Sequence, residues 1–212
     1  MSNPDGVIIF AAIEPDAALH RLVQGYKDDT RALVGEQLYL ADPPHLTIYL
    51  AVFPTVEVAL DRWRMLTTLG LDLTIEVIGW HVFDADALTG NHTLVCDLAA
   101  ADKVRLREVQ QRVVERLAPA RDVAATHARL APRLHLLSEA QRAAVATQGF
   151  PYLGNGWEPH FTIASIRPDD WPQLWETLAK RPPRGSFRCP RMRLYQLVDG
   201  LPVSIDGLDD PP

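Results

Sequence analysis

Short apolar runs alternate with amphipathic stretches along the chain, and this alternation predicts strands and helices in turn. The run GVIIFAAI at residues 6–13 is β-branched and aromatic, which is typical of a buried strand. A helix is predicted from Glu14-Pro15-Asp16 to about Gly35, followed by a strand, PPHLTIYL, that ends near Phe53. The stretch TVEVALDRWRMLTTLG then has helical spacing and stops at Gly70, and LDLTIEVIGWHVF predicts a third strand.

The same order of elements starts again after the turn DADALTGN. HTLVCDLA predicts a strand, and ADKVRLREVQQRVVERLA predicts a long helix that ends before Pro119. The next stretch, at about 119–156, is less regular and contains a helix over residues 138–148 with Ser138 as its N-cap. WEPHFTIASI follows as a strand. We treat the irregular stretch as an insertion or lid.

Placing His160 on His45 superimposes the two halves of the chain. This offset aligns the helix DDWPQLWETLAK with TVEVALDRWRML and the strand FRCPRMRLYQLV with LTIEVIGWHVFD. We therefore predict repeat halves at about 6–84 and 91–207 within a single two-lobed domain that spans residues 1–212. The fold class is α+β, with mostly antiparallel sheets flanked by helices and a central cleft between the lobes.

Each repeat half carries a histidine and a threonine two positions apart on a strand. Side chains alternate between the two faces of a strand, so His45 and Thr47 should share a face with Tyr49, opposite Leu46, Ile48 and Leu50. By the same rule, His160 and Thr162 should share a face opposite Phe161, Ile163 and Ser165. If the lobes pack about a pseudo-twofold axis, both pairs line one cleft around a single small ligand.

The net charge and the cysteine content indicate which ligands the chain could bind and in which cellular compartment it could reside. The chain has 21 Lys and Arg against 27 Asp and Glu, and its net charge of -6 argues against binding long nucleic acid by phosphate neutralisation alone. A small anionic ligand in a local basic site fits this balance. The first apolar run is too short to cross a membrane, and the two cysteines, Cys96 and Cys189, suggest a reducing cytoplasm and no disulfide framework.

The paired motifs HLTI, at His45 to Ile48, and HFTI, at His160 to Ile163, resemble the signature of the two-histidine (2H) phosphoesterases. This family includes the 2',5'-RNA ligase-like proteins and the RNA 2',3'-cyclic phosphodiesterases. IIFAAIEP, VIGWHVFD and EPHFTIAS are also similar to segments of the family, so the resemblance covers nearly the whole chain. Two departures, YLAVF after the first motif and Ser165 in place of an arginine, weaken assignment to the RNA-ligase branch.

The resemblance implies acid and base catalysis by His45 and His160, with Thr47 and Thr162 binding the substrate phosphate. Imidazole can serve as acid or base near neutral pH, because its reference pKa is about 6.5. A histidine pair therefore suffices without a metal or other cofactor, and EDTA should have little effect. Which histidine acts as the base is left open by the residues.

Other side chains have a functional and a structural interpretation. Tyr49, Phe10 and Trp157 are candidates for lining the cleft, and Trp80 for stacking on a base, with core packing as the alternative. His81, His92, Asp84 and Asp86 resemble a metal set in composition but not in spacing, so a solvated turn is favoured. In the insertion, the basic residues could contact a phosphate chain or nucleobase, although a solvated surface is favoured: His127, Arg129, Arg133 and His135.

The function implied is metal-independent hydrolysis of a 2',3'-cyclic phosphate, or of a related cyclic or 2',5' linkage, on a nucleotide or RNA end. Two alternatives stay open: 2',5' ligation of RNA by the same site, and a non-catalytic nucleotide sensor that keeps the cleft. We expect a cytoplasmic monomer that does not bind membranes.

Overall fold

The computed structural model describes residues 6–66, 73–86 and 89–205. Within these ranges the chain has the predicted α+β class. The strands are β1 (Val7–Glu14), β2 (Leu46–Phe53), β3 (Leu73–Phe83), β4 (His92–Leu98), β5 (Phe161–Ile166), β6 (Gly185–Cys189), β7 (Arg191–Val198) and β8 (Leu201–Ser204). The α-helices are α1 (Ala17–Val34), α2 (Val56–Arg64), α3 (Ala100–Leu117), α4 (Val123–Leu130), α5 (Glu139–Gln148) and α6 (Trp171–Leu178). None of the helices in the described ranges is long and apolar enough to cross a membrane.

Capping side chains set the ends of the predicted helices. The Asp16 carboxylate accepts hydrogen bonds from two backbone N–H groups in the first turn of α1. Gly35 ends this helix with a φ of 72°, a value that glycine adopts without strain. Ser138 caps α5 in a capping box with Gln141. Both helices therefore confirm the prediction, whereas the predicted stop of the second helix at Gly70 lies outside the described residues.

The strands form two antiparallel four-stranded sheets in the described part of the chain. Their order is β2-β1-β7-β8 in the first sheet and β5-β4-β3-β6 in the second. The two motif strands, β2 and β5, both lie at an edge, next to the first strand of their own sequence half. The predicted strand FRCPRMRLYQLV, by contrast, is divided at Pro190 between β6 and β7, which lie in different sheets.

The sheets nevertheless combine strands from both sequence halves. β3, the last strand of the first half, pairs with β4 and β6, and β7 of the second half pairs with β1 and β8. β3 and β4 are joined only by residues 84–91, and strands joined by a short connection commonly pair. The halves at about 6–84 and 91–207 are therefore not separate units of sheet structure, because β3 lies in the second sheet and β7 and β8 lie in the first.

Helices cover one face of each sheet, and the main core lies beneath them. α3 and α4 pack on β2, and α1 packs on β5. Core residues come from both sheets, among them Ile9, Ile48, Leu94 and Ile163, which are all fully buried. A smaller apolar cluster lies apart from this core and consists of Phe10, Ala12 and Tyr195 with Leu50 and Leu197.

A β-bulge interrupts both motif strands at the same place. In β2 the partners of Ala11 and Ala12 are Tyr49 and Thr47, so Ile48 is the extra residue. In β5 the partners shift from Ala164 to Thr162, and Ile163 is the extra residue. Each bulge directly follows the motif threonine, and each reverses the inward and outward alternation of the residues beyond it.

The bulge makes the predicted placement of Tyr49 wrong. Strict alternation puts Tyr49 on the face of His45, but the extra residue turns its side chain into the main core, where it is fully buried. Its hydroxyl donates a hydrogen bond of 2.6 Å to the carbonyl oxygen of Gln148. The second bulge has the matching effect on Ser165, which was expected beside Ile163 but whose hydroxyl contacts that of Thr89 at 3.0 Å.

Candidate active site

One cavity of about 700 Å³ contains both motifs. His45 and Thr47 line it from the first sheet, and His160 and Thr162 line it from the second. All four side chains are half-buried, so they are sheltered from bulk water yet reachable from the cavity. The structure therefore brings together the four residues that the repeat and the resemblance selected.

The backbone fixes both imidazole rings in the same way. The Nδ1 atom of His45 lies 2.7 Å from the carbonyl oxygen of Pro43, and Nδ1 of His160 lies 2.6 Å from that of Glu158. A carbonyl oxygen can only accept, so each Nδ1 must carry a hydrogen and donate it. In the neutral ring, Nε2 is then the unprotonated nitrogen in both motifs. Each ring offers a base at that atom.

A proline before each histidine explains the local geometry. Pro44 and Pro159 directly precede His45 and His160, and both prolines are buried. The pyrrolidine ring fixes its own φ and restricts the preceding residue to extended conformations. The carbonyl two residues before the histidine is therefore held in place to accept the Nδ1 hydrogen. The sequence Pro-His is thus part of the motif in this chain.

Burial favours the neutral form of both rings. It is the main cause that lowers the pKa of His45, to about 4, and the charges of Lys27 and His160 add to the effect. Burial also lowers the pKa of His160, with a contribution from His81. Both histidines are therefore predominantly neutral at pH 7 in the free protein, and each can accept a proton.

Each catalytic candidate lies against an aromatic ring. The ring of Phe10 is 5.2 Å from that of His45, and the ring of Phe83 is 5.1 Å from that of His160. Phe10 stacks in turn on Tyr195 at 5.1 Å. Phe83 pairs with Thr93 of β4 as Tyr195 pairs with Phe10 of β1, a correspondence that the strand pairing shows and the sequence alignment of the halves does not. Sequence reasoning selected only Phe10.

The tryptophans divide between the cavity wall and the core. Trp157 lines the cavity and also packs in the main core. Trp80 does not line it, since its indole N–H donates to the carbonyl of Leu178 at 2.9 Å and its ring packs on Tyr26. Of the three predicted lining residues, the structure therefore places Phe10 and Trp157 at the cavity and Tyr49 in the core.

Sequence reasoning missed the polar wall of the cavity. Lys27 lies in α1 on the same stripe as Leu19 and Val23, and it is almost fully buried. Its ammonium donates to the carbonyl oxygen of Tyr39, and burial lowers its pKa to about 8. The helical spacing of Leu19, Val23 and Lys27 is the signal that could have identified it. Other polar lining residues are Tyr39, Asp42, Asp84, Asp86, Thr93, Gln141, Tyr152 and Glu158.

The turn after β3 and the insertion contained further candidates. His92 pairs with Asp84 at 3.2 Å and stacks on Trp171, and no cluster of three or more metal-type ligands occurs among the described residues. Of the four basic residues singled out in the insertion, Arg129 lines the cavity. The other three are exposed: His127, Arg133 and His135.

The sequence of the chain as a whole decides the family. Residues 13–201 match the family model of the 2'-5' RNA ligase superfamily. The chain belongs to this superfamily. The match confirms the resemblance to the 2H phosphoesterases, and membership in the superfamily indicates a phosphoesterase- or ligase-type enzyme. Both paired motifs fall within the matched residues.

Several solved structures are similar to this superfamily member at low identity. Escherichia coli LigT complexed with NADP+ is 14% identical over 94% of each chain, with a TM-score of 0.47. A structure described as a phosphoesterase is 14% identical over 94% of each chain, with a TM-score of 0.48. Kluyveromyces marxianus Usb1 with uridine monophosphate is 16% identical over 91% of this chain and 95% of that one, with a TM-score of 0.37. No curated protein sequence matches the chain.

Proposed function

We propose that this protein is a metal-independent phosphodiesterase that hydrolyses the 2',3'-cyclic phosphate of a nucleotide or RNA end. The observation that carries the proposal is the matched anchoring of His45 and His160. Both rings donate Nδ1–H to the carbonyl two residues earlier, and both line one cavity. Such a pair offers two equivalent Nε2 atoms, and each can hold or release one proton.

The reaction needs one ring as base and the other as acid. The Nε2 atom of the base removes a proton from water, whose oxygen forms a bond to phosphorus. The bond from phosphorus to one ribose oxygen breaks, and Nε2–H of the second imidazole gives its proton to that oxygen. The product is a phosphomonoester beside a free hydroxyl. Each positioned acid or base contributes roughly 10² to 10⁴ in rate.

The threonines act on the charge of the phosphate. Thr47 and Thr162 lie two residues after the histidines and line the same cavity. Their hydroxyls would donate hydrogen bonds to the non-bridging oxygens, where negative charge builds up in the transition state. The bulges support this role, because they let the next two residues of each strand pack into the core while the threonine faces the cavity.

The negative charge of the bound phosphate favours protonation of one histidine. Both histidines have lowered pKa values in the free protein, so the acid must be protonated after the ligand arrives. A bound phosphodiester carries a negative charge, and an opposite charge within a few ångströms raises the pKa of an imidazole. Binding of the substrate therefore favours the one-proton state of the pair that catalysis requires.

A substrate panel tests the proposal. We expect the wild type to hydrolyse 2',3'-cyclic mononucleotides or RNA with cyclic-phosphate ends, with activity retained in EDTA. The double variant His45→Ala and His160→Ala should lose turnover below detection, while His20→Ala, an exposed histidine on α1, serves as the matched control. Cyclic dinucleotides and 2',5'-linked dinucleotides complete the panel.

Other outcomes of the same panel would contradict the proposal. Tight binding of one compound without turnover of any would identify a nucleotide sensor. Joining of RNA ends by the wild type, without net hydrolysis, would identify a 2',5' ligase. Loss of activity in EDTA, with recovery on adding a divalent cation, would show that the histidine pair does not act without a metal.

A further inference from the structure

Arg129 is a cation at the cavity wall whose charge the described residues do not neutralise. It lies near the end of α4, is half-buried and lines the cavity that holds both motifs. Across residues 6–66, 73–86 and 89–205, its guanidinium makes no hydrogen bond and no ion pair. The other basic side chain of the wall, Lys27, differs because its ammonium donates to the carbonyl of Tyr39. Arg129 is thus the wall cation open to a ligand.

A second positive charge lies near Arg129, and no carboxylate of the described residues forms an ion pair with its guanidinium. Arg133 follows four residues later, and its charge, together with burial, lowers the pKa of Arg129. An ionised Tyr39 would raise that pKa instead. Four carboxylates line the same cavity, and none of them forms an ion pair with the guanidinium within the described residues: Asp42, Asp84, Asp86 and Glu158. The chain has 27 acidic residues against 21 basic ones, so carboxylates are not scarce. A half-buried arginine beside another is stabilised by an anion that the ligand would bring.

Tyr39 lines the same cavity as Arg129, and the buried lysine holds its backbone. Its φ is 72°, in the left-handed region that bulky residues rarely adopt, and its carbonyl accepts from the Lys27 ammonium. Tyr39 lines the same cavity, and burial together with the charges of Asp86 and Asp42 raises the pKa of its hydroxyl. The phenol is therefore neutral at pH 7 and able to donate a hydrogen bond to a ligand in the cavity that Arg129 also lines.

The helix that carries Arg129 is fastened to the first motif strand. Thr126 is buried, and its Oγ1 accepts from the backbone N–H of Val52 at 3.1 Å. The backbone N–H of Asp122 donates to the carbonyl of Val52 at 2.8 Å. These bonds join α4 to β2, the strand that begins directly after His45. The backbone of the helix that carries Arg129 is therefore held in place relative to the strand that follows His45.

We propose that Arg129, assisted by the Tyr39 hydroxyl, binds a second phosphate group of the substrate. This inference rests on the proposed function, which assigns the first phosphate to the histidine and threonine pairs. The preferred substrate is then a cyclic phosphate end that carries a further phosphate. That group is either a 5'-phosphate on the same nucleotide or the diester that links it to the next one.

Three substrates distinguish these sources in the wild-type protein. They are adenosine 2',3'-cyclic phosphate, the same compound with a 5'-phosphate, and the dinucleotide ApA with a 2',3'-cyclic phosphate end. We expect kcat/KM to be about ten- to hundredfold higher for at least one of the two-phosphate substrates, the range of charge-assisted hydrogen bonds. Preference for the second compound indicates the 5'-phosphate, and preference for the third indicates the internucleotide diester.

Substitutions show whether Arg129 causes the preference. Arg129→Gln should reduce the ratio of kcat/KM between two-phosphate and one-phosphate substrates to near one. Arg129→Lys should keep part of the ratio, because it keeps the charge without the planar guanidinium. Arg116→Gln, an exposed arginine on α3, is the matched control and should keep the full ratio. Thermal unfolding of each variant checks that the fold is intact.

A binding measurement makes the test independent of turnover. By calorimetry, the wild type should bind adenosine 3',5'-bisphosphate about ten- to hundredfold tighter than adenosine 3'-monophosphate, and Arg129→Gln should remove the difference. Equal binding of the two by the wild type, or a preference retained in both Arg129 variants, would overturn the second-phosphate site. Absence of turnover with this binding preference intact would instead overturn the proposed function alone.

Discussion

At the scale of single residues, the structure shows which nitrogen of each motif imidazole carries a hydrogen. Each ring is oriented through Nδ1 by a backbone carbonyl, so Nε2 is the atom left for chemistry. No side chain is required for this orientation, and Pro44 and Pro159 constrain the backbone that provides it. The chain therefore builds the same acid or base twice from a local sequence pattern.

Activity should depend on pH with a bell-shaped profile displaced to the acid side. The base must be neutral, so kcat/KM rises as pH passes upward through its pKa, and the acid must be protonated, so kcat/KM falls above its pKa. Burial lowers both free-protein pKa values from 6.5, that of His45 to about 4. We expect the maximum of kcat/KM below pH 6.5, measured with a cyclic phosphate substrate from about pH 4 to about pH 9, a range that spans the reference pKa of imidazole.

The profile of kcat should extend further toward alkaline pH than that of kcat/KM. The pH dependence of kcat reflects the pKa values of the enzyme–substrate complex, in which the phosphate charge raises the pKa of the acid. The pH dependence of kcat/KM reflects the pKa values of the free protein. Circular dichroism at each pH checks that unfolding does not produce either limb. A maximum of kcat/KM well above neutrality, with chemistry limiting the rate, would show that burial does not control these histidines.

At the scale of elements, the prolines, caps and alternation could be read from the sequence, and the bulges could not. Asp16 and Gly35 bound α1 as predicted, because capping is decided by a few adjacent residues. The bulge at Ile48 arises from the way β1 pairs with β2. The alternation of apolar and polar residues within one strand does not show how that strand pairs with a strand distant in sequence. Tyr49 was misplaced for this reason. A solvated surface was favoured for Arg129, and this prediction was wrong because helix α4 docks on β2 through tertiary contacts that the sequence pattern does not show.

Tyr49 should therefore affect stability and leave catalysis alone. Its buried hydroxyl joins β2 to the end of α5 through the carbonyl of Gln148. Tyr49→Phe leaves that carbonyl without its donor, and we expect the free energy of unfolding in urea to fall by about 1 to 2 kcal/mol. The value of kcat/KM should stay within about twofold of the wild type, well below the tenfold change that 1.4 kcal/mol represents. A large loss of kcat at unchanged stability would instead place the phenol in the cavity.

At the scale of the whole molecule, the exchange of β3 and β7 makes the two sequence halves depend on each other. A fragment of residues 1–86 keeps β3 but loses β4 and β6, which are both of its strand partners. A fragment of residues 87–212 keeps β7 and loses β1. The sequence alignment of the halves predicts that they correspond, but it does not reveal in which sheet β3 and β7 find their partners.

Neither half should fold when it is produced alone. We expect fragments 1–86 and 87–212 each to lack a cooperative thermal transition by circular dichroism, and an equimolar mixture to regain one. The intact chain should unfold in a single transition, as small domains with one shared core do. Cooperative unfolding of the first fragment by itself would mean that β3 finds other partners and that the exchange is not required for folding.

Both motif strands lie at sheet edges, which exposes the protein to strand addition by a neighbouring chain. The contacts already described counter this hazard. Asp122 and Thr126 of the α4 region occupy the backbone groups of Val52 on β2, and the carbonyl of Leu38 accepts from the N–H of Ser165 on β5. Together with the bulges, these contacts leave few backbone groups aligned for intermolecular pairing. The irregularities that arrange the cavity thus also guard against aggregation.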